Sequence, residues 1–218
     1  MNENGVEAFQ GMCVPKAIAD KHDIKSITDL TDPDKAAIFD TDGDGRGEIW
    51  IGAPGWASTV VEKIRAKSYG YGEVMELTES DETLAYANLD NAIKAGKPWV
   101  GFCYTPHYVF VLHDLQILEE PPYDAANWKI VQPTDDPAWL EKSSAAMAWD
   151  TAYLHLHFAK SVQDSYPEVA KLFANMKLDT DAVSEMTYAL VVDKKDPAEY
   201  AKEWVAAHED QVLDWLSQ

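Results

Sequence analysis

The stretch "FDTDGDGRGEIWIGAPGW", residues 39–56, runs an acidic loop into a strand and then into a turn ending in tryptophan. Numbered as a calcium loop, Asp40, Asp42 and Asp44 take positions 1, 3 and 5, Gly45 takes the sharp-turn position 6, Arg46 comes next at 7 and Glu48 falls at 9. Oxygens clustered this tightly suit a hard cation. Position 12 is Ile51, not the bidentate glutamate of a sensor, and no flanking helix pair is visible. The loop therefore reads either as a solvated acidic turn or as a structural calcium site that braces the strand after it. That strand and the turn beyond it decide the fold: "EIWIGAP" is extended, Pro54-Gly55 turns the chain, and "STVVEKIRAKSYGYG" is a helix closed by glycines. Strand, turn and helix in that order make one unit of an α/β layer.

The same alternation continues on both sides. "GVEAFQGMCVPKAIADKHDI" predicts a short strand and a helix opening near Pro15, and "SITDLTDPDKAAIFD" predicts short capped helices. "DETLAYANLDNAIKAG" places Leu84, Ala85, Leu89, Ala92 and Ile93 on one helical face, with Gly96 as the stop. "KPWVGFCYTPHYVF" reads as a buried strand broken at Thr-Pro, and "AYLHLHFAK" alternates like a strand. "YPEVAKLFANM", "DTDAVSEMTYALVV" and "DPAEYAKEWVAAHEDQVLDWL" read as helices. The loop-rich "LEEPPYDAANWKIVQPTDDP", residues 118–137, is the best place for the chain to cross between lobes. The expected class is α/β with a mostly parallel sheet. Two regions are expected, 1–118 forming mainly one ligand-binding lobe and 119–218 holding the crossing and a mostly helical remainder.

Composition narrows the function. The chain has 218 residues, 46% hydrophobic residues and 8 Trp, which suits a folded core and excludes disorder. Its 18 basic against 38 acidic residues give a formal charge of -20, which repels nucleic acid and anionic lipid. Cys13 and Cys103 are too few for a disulfide framework or a zinc set, and fit either one bridge or two buried thiols. No apolar run reaches the roughly 18 residues of a membrane span, and "MNENGVEAFQ" has no export-signal pattern.

Several residues have the chemistry of a cation site. Trp56 sits on the turn before a helix whose first residues, Ala57 and Ser58, have unpaired backbone amides suited to an anion. Indole faces take a quaternary ammonium and amides take a carboxylate, so the pair suits a zwitterion. Tyr104, His107 and Tyr108 cluster around the Thr-Pro break, and "MAWDTAY" adds Trp149 and Tyr153. Glu62 lies two turns into the helix, facing solvent or a bound cation, with the solvated face favoured. His155 and His157 share one face of a strand, a spacing seen in zinc sites, but no neighbouring Cys or acid completes a set. No catalytic or phosphate-binding motif is present, so nothing here points to an enzyme.

Taken in order, "IKSITDLTDP", "AAIFDTDGDGRGEIWIGAPGW", "AGKPWVGFCYTPHYVF", "LEEPPYD" and "YPEVAKLFANMKL" resemble the substrate-binding proteins of ABC transporters for glycine betaine, proline betaine and choline. The resemblance runs from about Gly5 to the C-terminus. It implies a type II periplasmic-binding fold of two lobes that closes on its ligand. It also implies a periplasmic location, membrane transporter subunits as partners, no required cofactor, and a quaternary ammonium held in an aromatic box. The family's Pro-Gly-Trp tryptophan matches Trp56, its aromatic before Thr-Pro matches Tyr104, and its carboxylate-holding amides match Ala57 and Ser58. The family often has Gly-Cys at those last two positions. Glycine betaine, choline, trimethylamine N-oxide and dimethylsulfoniopropionate are the candidate ligands, with Glu62 in protonated form available to an N-oxide. Family members also carry a first half-lobe ahead of the segment matching Gly5 to Pro15. The resemblance therefore implies one incomplete lobe, and a homodimer formed through it.

Overall fold

The computed structural model describes residues 2–217. Its strands are β1 (Val6–Ala8), β2 (Gln10–Pro15), β3 (Gly47–Trp50), β4 (Met75–Thr78), β5 (Gly101–Tyr104), β6 (Leu115–Ile117) and β7 (Ala152–Leu154). Ahead of β7 lie helices α1 (Lys16–His22), α2 (Pro33–Ala36), α3 (Ala57–Tyr69), α4 (Glu82–Ala95), α5 (Val109–Leu112) and α6 (Trp139–Lys142). After it come α7 (Lys160–Ser165), α8 (Pro167–Asn175), α9 (Thr180–Val191), α10 (Pro197–Ala207) and α11 (Glu209–Ser217).

The chain forms two compact units. One comprises Gln10–Cys103 and His113–Asp150; the other takes the N-terminal stretch up to Phe9, Tyr104–Leu112, and the chain from Thr151 onward. The sequence reading draws its single boundary after residue 118 and its crossing within 118–137. That stretch lies wholly inside the first unit.

The first unit is built on a five-stranded sheet in the order β4-β3-β5-β2-β6. β3 is parallel to β4, with Gly47 opposite Met75 and Trp50 opposite Thr78, and parallel to β5. β6 closes the other edge antiparallel to β2. The inner strands are continuously apolar because both faces are covered: Met12, Cys13, Val14, Ile49, Phe102 and Cys103 are all buried. Helices α3 and α4 make the crossovers from β3 to β4 and from β4 to β5, as parallel pairing demands. Their ends obey local chemistry. Asp81 caps α4 by accepting from the Thr83 amide, and Gly70 and Gly96 end α3 and α4 in the left-handed region. Ala85 and Leu89 of α4 are buried as the periodicity predicts, but Leu84 is 55% exposed. The buried face of α4 is thus narrower than its apolar face.

Cys13 of β2 and Cys103 of β5 are joined in a disulfide with Cα atoms 5.9 Å apart, which settles the alternatives that spacing left open. Neighbouring strands bring the two thiols together although 90 residues separate them.

The second unit is mostly helical. β1 pairs antiparallel with β7, Val6 opposite Leu154 and Ala8 opposite Ala152. Asn2 ties the start of the chain to α8, its amide donating to the carbonyls of Phe173 (2.7 Å) and Met176 (2.6 Å). The predicted C-terminal helix is broken in two at His208, where the φ/ψ of -124°/35° leaves the helical region. The His208 ring stacks on Trp204 at 4.1 Å, and Trp204 stacks on Trp215 at 6.0 Å.

Candidate binding site around Trp56 and helix α3

β3 ends at Trp50, and the chain turns through Gly52, Ala53, Pro54 and Gly55 before α3 begins. Gly52 has φ +121°, and a Cβ there would collide with the Thr59 hydroxyl. That hydroxyl donates to the Ala53 carbonyl at 2.7 Å and pins the turn to the first turn of the helix. Glycine is therefore required at Gly52 on two counts. Trp56 is the N-cap residue of α3, with extended backbone (φ -71°, ψ 140°) and no side-chain cap. Its amide donates to the Ala53 carbonyl at 3.2 Å. Ala57, Ser58 and Thr59 thus open a 13-residue helix whose first amides have no intrahelical acceptor. In open α/β sheets the carboxyl ends of strands are where ligands collect, and this turn lies at such an end.

The Trp56 ring is held edge-on by Trp50 at 6.0 Å, and Trp50 in turn by Tyr86 at 5.5 Å. The Trp50 indole donates to the Ser80 carbonyl at 3.2 Å. A cavity of about 630 Å³ lies beside α4, but its lining, which includes Trp50, Asn88 and Trp99, contains neither Trp56 nor Trp149.

The core side of α3 departs from the sequence expectation. Glu62, expected on the solvated face, is 0% exposed, and so is Arg65. Glu62 Oε1 accepts the Trp149 indole N–H at 2.7 Å and lies 3.4 Å from Arg65 Nε. Arg65 Nη2 also pairs with Glu120, which accepts from the Tyr69 hydroxyl at 2.7 Å. Charges taken out of water are tolerated only when paired, and here one guanidinium serves two carboxylates. Burial pushes the Glu62 carboxyl above its ordinary range, opposed by the Arg65 charge and the Trp149 hydrogen bond. Burial likewise raises the Tyr69 hydroxyl, reinforced by its bond to Glu120.

Trp149 lies 6.4 Å from Phe102 and 5.4 Å from Trp128, and Trp128 meets Tyr123 edge-on at 5.5 Å. Sequence reasoning does not single out Trp128 or Tyr123 as site residues. Their stretch reads as loop, and the signal that marks them is an aromatic pair within an otherwise polar, proline-rich segment.

Tyr104, His107 and Tyr108 belong to the other unit, where they stand together. His107 is 4.9 Å from Tyr104 and 4.4 Å from Tyr108 between ring centres. The Val109 amide donates to His107 Nδ1 at 3.3 Å, and the His107 amide donates to the Ser184 hydroxyl at 3.2 Å. Burial pushes the imidazole down to about 4, so this aromatic group carries no charge at neutral pH.

In the acidic loop, Asp40 accepts from the amides of Gly43 (2.6 Å) and Gly45 (2.9 Å). Asp42 accepts from Asp44 N, and Asp44 from Arg46 N. Glu48 takes the amide and hydroxyl of Thr41, at 2.9 and 3.0 Å, while Arg46 reaches the Met75 carbonyl at 2.6 Å. The loop closes on its own carboxylates and clamps β3 to β4. Carboxylates of Asp40, Asp42 and Glu48 converge, as do those of Asp42, Asp44 and Glu76. Among the described residues, His155 and His157 fall in no such three-residue cluster; His155 Nδ1 lies 3.1 Å from the Asn2 carbonyl.

Residues 1–207 match the family described as the substrate binding domain of ABC-type glycine betaine transport systems. The chain belongs to this family. The glycine betaine/proline betaine-binding periplasmic protein of Salmonella typhimurium is 25% identical, with 97% of this chain and 64% of the relative covered. The glycine betaine-binding periplasmic protein OusX of Dickeya dadantii is 26% identical, at 96% and 64%. This chain thus spans about two thirds of the length of these curated relatives. Among solved structures, a choline binding protein of an ABC transporter in complex with choline is similar with a TM-score of 0.61, at 19% identity over 99% of this chain and 65% of that one. Lactococcal OpuAC, closed on glycine betaine, gives 0.60 at 22% identity over 98% and 69%. The fold is accordingly α/β of the type II periplasmic-binding class. Among the described residues no helix is long and apolar enough to cross a membrane.

Proposed function

We propose that this chain is the solute-binding part of a periplasmic ABC import system for a small quaternary-amine osmolyte, acting by binding and not by catalysis. The observation that carries the reading is Trp56 at the N-cap of α3, its indole braced by Trp50 directly ahead of the open amides of Ala57 and Ser58. An ammonium head on an indole face gains about 0.5–2 kcal/mol by cation–π attraction, and a helix start favours the carboxylate. Glycine betaine has both groups and is the leading ligand, ahead of choline, trimethylamine N-oxide and dimethylsulfoniopropionate. The names of the relatives point the same way. Trp149, on the same unit as Trp56, supplies further aromatic surface. Family membership supports membrane transporter subunits as partners. The Cys13–Cys103 bridge supports an oxidising compartment.

Calorimetry of the full chain with glycine betaine and with choline, and then with the other two ligands, tests the reading. Saturable binding that Trp56→Ala weakens by about tenfold or more is expected. Absence of heat with all four ligands, or a Trp56→Ala variant that binds as the wild type does, overturns it.

A further inference from the structure

We propose that Glu62 is a positioning residue for amine recognition, acting through Trp149 without touching the ligand. The inference rests on the binding reading above, since Trp149 must be one of the aromatic walls. Glu62 lies five residues beyond Ala57 on α3, about 7.5 Å along the axis at 1.5 Å per residue. Its side chain is directed into the core and not to solvent, so it cannot itself serve as the acid that meets a solute. It meets instead the edge of an indole: Oε1 accepts the Trp149 N–H at 2.7 Å.

Arg65 completes the clamp. Its guanidinium carbon lies 5.9 Å from the centre of the Trp149 ring, while its Nε is 3.4 Å from the same Glu62 oxygen. Trp149 is therefore fixed by a hydrogen bond at its edge and by a cation near its ring, with Phe102 and Trp128 as aromatic neighbours. The ring remains partly exposed while the groups that orient it are buried.

A purely structural role accounts for this arrangement poorly. Buried ion pairs add little stability over well-packed apolar residues, and Glu62 Oε2 and Arg65 Nη1 are buried with no hydrogen-bond partner. A carboxylate at the indole N–H does two things that an apolar residue cannot. It sets the rotation of the ring through a charge-assisted hydrogen bond, and it drives electron density toward the face that a cation would meet. Because Glu62 shares α3 with the Ala57 and Ser58 amides, one helix would fix both the anion end and an aromatic wall of the site.

The test is a double-mutant cycle on the full chain, read by calorimetry with glycine betaine. Glu62→Ala and Trp149→Phe are each expected to weaken binding about tenfold, and the double variant no more than twofold beyond either single one. Glu62→Gln, which keeps an acceptor for the indole, is expected to recover most of the loss. The Trp149 indole N–H resonance, assigned by its disappearance in Trp149→Phe, should shift in Glu62→Ala. Should Glu62→Ala fail to fold, the cycle run with Glu62→Met, which removes the acceptor and keeps the volume, decides by the same criterion. Independent, multiplying losses, or a Glu62→Ala variant binding within twofold of the wild type, overturn the inference and leave the binding reading standing. A wild-type chain that binds no glycine betaine overturns both.

Discussion

Cys13 and Cys103 tie strands β2 and β5 together one residue before Tyr104, closing a loop of 90 residues across the sheet. By the chain-entropy account such a loop is worth about 4.6 kcal/mol. The protein should show no reactive thiol when denatured without reductant and two after reduction. Reduction should lower its unfolding free energy by about that amount, measured by urea melts with and without dithiothreitol. Two reactive thiols in the oxidised protein would contradict the bridge.

Ala57→Pro separates the helix start from the tryptophan. Proline is favoured at the first helical position, and the extended backbone of Trp56 suits a residue preceding proline. The variant should melt within about 2 °C of the wild type. It lacks one amide donor, so its affinity for glycine betaine should fall by about tenfold while that for choline, which has no carboxylate, stays within about twofold. Equal losses for the two ligands would mean that the amide does not read the carboxylate.

Glu62 makes stability depend on pH in a stated direction. Its carboxyl is raised by burial above the ordinary 4.5, against the opposing pull of Arg65 and Trp149. Below 4.5 it is protonated in both folded and unfolded chains. As pH rises above 4.5 the unfolded chain releases this proton first, and the Glu62 contribution to stability falls until the folded group has also ionised. Urea melts between pH 4 and 8 should therefore show the wild type losing stability relative to Glu62→Gln as pH rises. A difference that is flat or grows in the other direction would contradict the burial of the group.

The acidic loop gives a metal prediction. Asp40, Asp42 and Asp44 already satisfy the amides of Gly43, Gly45, Asp44 and Arg46. Treatment with a chelator, then addition of 1 mM calcium (on the order of the weakest extracellular calcium modules), should move the melting temperature by less than about 1 °C. A calcium-dependent rise of several degrees would make the loop a metal site.

Much of the first unit is legible because its signals are local. The Asp81 cap and the glycine stops at Gly70 and Gly96 each act within one helical turn, and they set the ends of α3 and α4. The Pro54–Gly55 turn puts Trp56 at a helix start for the same reason. Sequence patterns mislead where a residue depends on distant neighbours. Leu84 has the right period for burial, yet nothing covers enough of it to remove it from solvent. His208 ends α10 inside a pattern that reads as one continuous helix, and its ring stacks on Trp204. Trp128 meets Trp149 only when the fold brings the two rings together.

The sequence by itself determined the α/β alternation, the helix ends, the turn that precedes α3 and the family. Each depends on residues a few positions apart or on an ordered set of motifs. The tertiary structure decided the pairing of Cys13 with Cys103, the composition of two units from separate stretches, and the fate of Glu62. That last residue has the sequence of a solvated helix position. It is buried because Glu120, 55 residues from Arg65, and Trp149, 87 residues from Glu62, supply partners without which a charge could not leave water.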